Sequence, residues 1–196
     1  MNKNNRSEAN IKARKLRGHR FCNFKVIQAC HLETKFINNL IKMNNIDICV
    51  NNAGINIIKS FEDYSQEEYQ RMLSINLTAP FNILQHIIPN MNKQHFGRIV
   101  NISSIWSKIS KSGRVLYSTS KTGLVGLTQS LAVEYAGSNI MVNAVSPGFT
   151  STDLTERSLS DKEIEALSLQ IPLQRFAEPN EVAQTVLFLC SDWNTY

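Results

Sequence analysis

A chain of 196 residues, 42% of them hydrophobic, is long enough to bury one full domain core. It holds no apolar run near the roughly 18 residues that cross a bilayer. Its opening "MNKNNRSEANIKARKLRGHR" lacks the apolar stretch of a secretory leader, so a cytoplasmic protein with no membrane partner is expected. The net charge of +5 is gathered early, in Lys12, Arg14, Lys15, Arg17, Arg20 and Lys25. No aromatic residue before Phe21 interleaves with them. Residues 1–23 therefore read as a basic, disordered tail rather than a nucleic-acid module, and residues 24–196 as the domain. Cys22, Cys30, Cys49 and Cys190 show no Cys-x-x-Cys spacing. They read as reduced thiols, and no metal site is expected.

In chain order, "FKVIQ" (24–28) predicts a strand, and Glu33 to Met43 a helix with Phe36, Leu40 and Ile41 on one side. "IDICVNNAG" (46–54) predicts a buried strand running into a turn. "SQEE" (65–68) is a capping box that opens a helix from about Gln66 to Asn92. Pro80 lies inside that helix. It has no N–H for the carbonyl four residues back, so the Asn76 carbonyl is freed, a kink is expected, and a water is the natural partner. "GRIVNISS" (97–104) and "NIMVNAVSPG" (139–148) predict two further strands, and "SDKE" (160–163) a second capping box. Continuous Val/Ile runs between long helices suit parallel strands covered on both faces, which predicts a doubly wound, Rossmann-like α/β sheet.

"LYSTSK" (116–121) places Tyr117 and Lys121 four residues apart, one turn of helix on one face. Ser104 ends the preceding strand. In an open parallel sheet, ligands bind outside the carboxyl ends of the strands, so Ser104, Tyr117 and Lys121 are expected to share one crevice. Proton transfer near neutral pH needs an acid titrating near 7, and free tyrosine titrates near 10. A lysine cation would stabilise phenolate, a serine hydroxyl would hold a substrate oxygen, and a water on the Asn76 carbonyl would pass protons to Lys121. This set predicts an acid–base site for hydride addition to a carbonyl, or removal from an alcohol.

Together with "NNAG" (51–54), "SINL", "VNAVSPGFTSTD" (142–153) and "IPLQRFAEPNEVAQTVLFLCSD" (171–192), these motifs follow one family's order across residues 46–192. The chain resembles the classical short-chain dehydrogenases/reductases, close in pattern to bacterial 3-oxoacyl-[acyl-carrier-protein] reductases. The resemblance implies an NAD- or NADP-dependent oxidoreductase acting on a small carbonyl, alcohol or acyl-carrier substrate. It implies Asn76, Ser104, Tyr117 and Lys121 as the catalytic set, with Tyr117 the general acid/base. Asn52, Ala53, Gly54, Tyr117, Lys121, Pro147, Gly148, Thr150 and Thr152 would bind the cofactor, and Asn51 would help pack the strand end. A homodimer through the helices near 66–92 and 115–136 is implied as well.

The family's first strand leads into a glycine-rich turn that carries the dinucleotide phosphates. Before residue 51 the only glycine is Gly18. The family's first two strands and its last strand are absent from these 196 residues, so an incomplete sheet, a chain truncated at both ends and compromised cofactor binding are expected. His31 stands where the family often has an aspartate. The alternative is an inactive homologue that acts only by binding another protein.

Overall fold

The computed structural model describes residues 46–152, 155 and 159–195. The expectations for the tail, for the strand at 24–28, for the helix at 33–43 and for His31 fall outside the described residues. Within them, β1 (Ile48–Asn51), β2 (Gly97–Ile102) and β3 (Ile140–Val145) form a parallel sheet in the order β1-β2-β3. Val50 faces Val100 in one pair, and Val100 faces Asn143 in the other. The three strands predicted from Val/Ile runs are thus present, parallel, and consecutive neighbours.

Period-two alternation sends Ile99 and Val100 to opposite faces of β2, and both are fully buried. β2 is therefore covered on both sides, which is why it reads as an unbroken apolar run; β1, expected to be buried, instead leaves Val50 42% exposed. On one side α2 (Ala79–Gln94) buries Leu84, Ile87, Ile88 and Met91, a helical spacing, against Ile99, Ile140 and Val142. Leu127 and Leu131 of α3 (Val115–Tyr135) close the same cluster. Two short helices follow, α4 (Asp161–Ser168) and α5 (Pro179–Cys190), and α5 packs on β2 and β3. No helix among the described residues is long and apolar enough to cross a membrane.

The helix that Ser65 caps runs as α1 (Gln66–Leu73), then a π-turn over Ser74–Thr78, then α2. Both predicted capping boxes form: Ser65 with Glu68, and Ser160 with Glu163. The expected disturbance at Pro80 takes the form of that π-turn, in which the Ala79 N–H reaches back five residues to the Ser74 carbonyl. Pro80 then falls in the first turn of α2, where a missing N–H costs least.

A buried polar chain ties the layers. The Asn51 amide donates to Asn101 Oδ1 (2.8 Å), the Asn101 amide to Thr128 Oγ1 (2.9 Å), and Thr128 to the Leu124 carbonyl (2.8 Å). Asn51 thus joins β1 to β2, and Asn101 joins β2 to α3.

Gly97 starts β2 hard against α2. A Cβ there would sit 2.7 Å from Met91 Sδ and 3.1 Å from Ile140 Cγ2, both side chains being buried. Gly97→Ala is expected to lower unfolding free energy by about 1–3 kcal/mol. An unchanged urea midpoint would mean that Met91 swings aside freely.

Candidate active site

The carboxyl ends of the three strands open onto a cavity of about 450 Å³. Ile102, Ser103 and Ser104 reach it from β2, Asn52 and Gly54 from the loop after β1, and Pro147, Gly148 and Phe149 from the loop after β3. Arg114, Tyr117 and Lys121 enter from the start of α3, and Thr150, Thr152, Thr155 and Val182 complete the far wall. The size suits a cofactor-binding cleft.

Lys121 is fixed from both ends. Its buried ammonium donates to the Ile102 carbonyl at 2.7 Å, while Ser103 Oγ donates to the Lys121 carbonyl at 3.1 Å. The end of β2 and the first turns of α3 are thereby locked together. A Cβ on Gly54 would lie 3.3 Å from Lys121 Nζ and 3.5 Å from Asn76 Oδ1. Glycine at 54 therefore keeps a cradle open beside the lysine head, space that a group in the cavity can fill. Burial pushes the Lys121 ammonium down to about 8.

Asn76 is fully buried and lies behind the cavity wall. Its Oδ1 accepts from the Ile55 N–H at 2.9 Å. Its Nδ2 donates to the Ile55 carbonyl at 2.9 Å and to Ser120 Oγ at 3.0 Å. Ser120 in turn donates to the Tyr117 carbonyl at 2.8 Å. One amide thus holds the loop after Gly54 against the turn of helix that carries Tyr117.

Tyr117 is part-buried, and burial pushes its phenol above the ordinary value; a hydrogen bond with Ser104 and the charge of Arg114 pull it back. Sequence reasoning gave that electrostatic role to Lys121. The ammonium instead sits 5.7 Å from the centre of the Tyr117 ring, bonded to the Ile102 carbonyl. Arg114 was missed. Its signal was available, since it lies three residues before Tyr117 and hence on the same helix face.

Of the residues expected at the cofactor, Thr150 and Thr152 line the cavity and Ala53 does not. Thr150 forms a parallel bridge with Ala177, so the loop after β3 is stitched to the segment leading into α5. The aromatic rings continue that stitch: Trp106 meets Phe149 edge-on (6.1 Å), and Phe149 stacks on Phe176 (5.1 Å). Trp106 and Arg114 add to the lining from the segment between β2 and α3. Cys49 and Cys190 are free thiols that burial pushes up to about 12 and about 11, so neither is a ready nucleophile.

The depressed Lys121 value has a thermodynamic sign. The unfolded lysine keeps its ordinary 10.5 and holds its proton to higher pH than the folded one. Between about pH 8 and 10.5 the unfolded state therefore binds more protons, and stability contributed by this group rises with pH. From about pH 7.5 to about pH 9.5, wild type is expected to gain about 1–2 kcal/mol relative to Lys121→Met. Parallel urea titrations of the two proteins with pH would remove this account.

The chain matches, over residues 2–196, the family model described as enoyl-(acyl carrier protein) reductase. It is 48% identical over 154 residues to a 3-oxoacyl-[acyl-carrier-protein] reductase FabG of Aquifex aeolicus, covering 79% of this chain and 62% of that protein. Against the FabG of Rickettsia typhi it is 39% identical over 192 residues, covering 97% of this chain and 79% of that one. A solved structure described as ElxO with NADP bound superposes with a TM-score of 0.76 at 29% identity, covering 83% of this chain and 67% of the other. The chain thus spans less than two thirds of the Aquifex relative's length. Motif order, parallel sheet and relatives agree: the chain belongs to the short-chain dehydrogenase/reductase family and is similar to its 3-oxoacyl-[acyl-carrier-protein] reductases.

Proposed function

We propose that the protein is an NAD(P)-dependent oxidoreductase that reduces a carbonyl, or oxidises the corresponding alcohol, on a 3-oxoacyl-type substrate. The observation that carries this reading is that Ser104, Tyr117 and Lys121 line one cavity at the carboxyl ends of the strands, with no carboxylate among its described residues. A nicotinamide nucleotide, when bound, supplies the hydride. Asn52, Gly54, Lys121, Pro147, Gly148, Thr150 and Thr152 would hold it, and the open cradle at Gly54 fits such a group. Ala53 would support the same loop from behind.

The chain's own residues handle the oxygen and the proton. Ser104 Oγ holds the substrate oxygen, and the Tyr117 phenol donates to it as negative charge develops. Arg114 and Ser104 stabilise the phenolate left behind. Lys121 returns the proton through a water on the Asn76 main-chain carbonyl, since Pro80 offers that carbonyl no N–H. Asn76's side chain keeps these elements in register.

A second reading is favoured by one observation. These 196 residues contain no glycine-rich phosphate turn, and phosphate contacts carry much of dinucleotide affinity. On that reading the chain is an inactive homologue that acts as a binding protein. Assayed alone, this chain is expected to bind NADH and NADPH weakly and turn over slowly. Tyr117→Phe is expected to abolish whatever turnover remains, about 10²-fold or more. Micromolar binding in a calorimetric titration would count against weak cofactor binding. Turnover undiminished by Tyr117→Phe would sink the proton-donor role.

We also propose a homodimer through α1–α2 and α3. Phe81 and Val133 are exposed on these helices, Val133 by 83%. A monodisperse monomer in sedimentation at high concentration would count against it.

A further inference from the structure

Trp106 lines the cavity, and the proton-transfer scheme above leaves it without a task. It sits in the middle of a short 3-10 turn, Ile105–Ser107, that follows directly on Ser104. That turn is tied down on three sides. The Trp106 N–H donates to Ser104 Oγ (3.3 Å), the Ile105 N–H to the Pro147 carbonyl (3.0 Å), and Thr122 Oγ1 to the Ser107 carbonyl (3.2 Å). The backbone that carries the indole is thus fixed to the end of β2, to the loop after β3 and to α3.

The ring is held as well. Phe149 meets it edge-on, with centroids 6.1 Å apart and 83° between the planes, and Phe149 is backed by its stack on buried Phe176. The Arg114 guanidinium lies over the indole, 5.4 Å from the ring centroid. An indole gripped by an aromatic edge and a cation is a rigid wall rather than a movable lid.

Its place along the cavity decides what it can limit. Arg114, Tyr117 and Lys121 stand on successive turns of one helix face at the start of α3. The Lys121 head lies beside the open cradle at Gly54, and the Arg114 head lies over the indole. The phenol stands between the two. With the coenzyme on the Gly54 side, a substrate whose oxygen rests on Ser104 and Tyr117 extends toward Trp106. The surface at that end is apolar: Phe149 touches the indole, and Ile58 packs beside Gly113, the residue before Arg114. The arm of a carrier thioester is longer than the cavity and must leave through its mouth. The free end of the acyl chain is therefore the part that meets the indole.

We propose that Trp106 is the end-wall of an acyl subsite and a specificity-determining residue, favouring the shortest 3-oxoacyl thioesters over those with longer tails. This rests on the hydride-transfer reading above and narrows its substrate by chain length. Each methylene that finds apolar surface strengthens binding about fourfold. A tail stopped by the wall forgoes that gain, and a tail forced against it strains the packing.

The test compares the N-acetylcysteamine thioesters of 3-oxobutanoate and 3-oxooctanoate as substrates of wild type, Trp106→Ala and Trp106→Phe, with NADH and NADPH. Wild type is expected to prefer the four-carbon chain. The ratio of kcat/KM for eight carbons over four should rise about tenfold or more in Trp106→Ala, with Trp106→Phe in between. Taking the ratio cancels any general loss from a disturbed turn at Ser104. In parallel, both thioesters are titrated calorimetrically into the same proteins in the presence of NADPH. Tighter binding of the four-carbon chain by wild type, with the order reversed in Trp106→Ala, supports the wall even if no protein turns over; in that case only the hydride-transfer reading fails. A ratio that Trp106→Ala leaves unmoved, equal or tighter binding of the eight-carbon chain by wild type, or no saturable binding of either thioester would overturn the proposal.

Discussion

The side-chain amide of Asn76 is the constraint on which the site depends. It is fully buried, so each of its polar atoms must find a partner inside the protein. It satisfies both backbone groups of Ile55 and one hydroxyl of α3 with three bonds of 2.9–3.0 Å. A net worth of about 1 kcal/mol per bond understates its importance, because removing the amide would strand buried donors and acceptors at about 1–3 kcal/mol each. Through Ser120 the same amide reaches the backbone of Tyr117, and through Ile55 it sets the open space at Gly54. The proton donor and the cradle beside Lys121 are therefore positioned by one side chain that never touches the cavity.

The second constraint is the fit of α3 to the sheet. Its buried face is half polar: Ser120, Lys121 and Thr128 alternate with Leu116 and Leu124. Each polar member is matched, Lys121 with Ile102, Thr128 with Asn101, Ser120 with Asn76. Gly123 lets the helix approach the π-turn so closely that a Cβ would stand 3.0 Å from Leu77. A helix that packs through hydrogen bonds at defined positions cannot slide or rotate as an all-leucine face can. That rigidity suits a phenol that must stay within hydrogen-bond reach of Ser104.

Much of this was legible in the sequence because it is written in short-range patterns. Unbroken Val/Ile runs announced the parallel strands, with β2 buried on both faces and β1 leaving Val50 exposed, and Ser-x-x-Glu marked two helix starts to the residue. The Tyr117–Lys121 spacing and the strand-end serine placed three cavity residues together. Three things were hidden. The direction of the Lys121 ammonium depends on which carbonyl lies nearest in three dimensions, and no spacing records that. The π-turn was read as a plain kink, since Pro80 announces a missing donor without saying how the chain will absorb it. Arg114 was overlooked because arginine at a helix start usually belongs to a solvated surface. Only the cavity, together with the Trp106 ring beneath the guanidinium, distinguishes it.

The π-turn has a consequence for how this fold tolerates length changes. It takes up one extra residue in a wider turn, so that α1, which buries Met72, and α2, which buries Leu84, Ile87, Ile88 and Met91, keep their buried faces in phase. Deleting a single residue between 74 and 78 would restore ordinary helix and leave the face of α2 where it is, whereas a one-residue deletion inside α2 would turn everything after it by about 100° about the axis. The segment thus behaves as a buffer between two helical faces, the place in this helix where a change of one residue in length is absorbed.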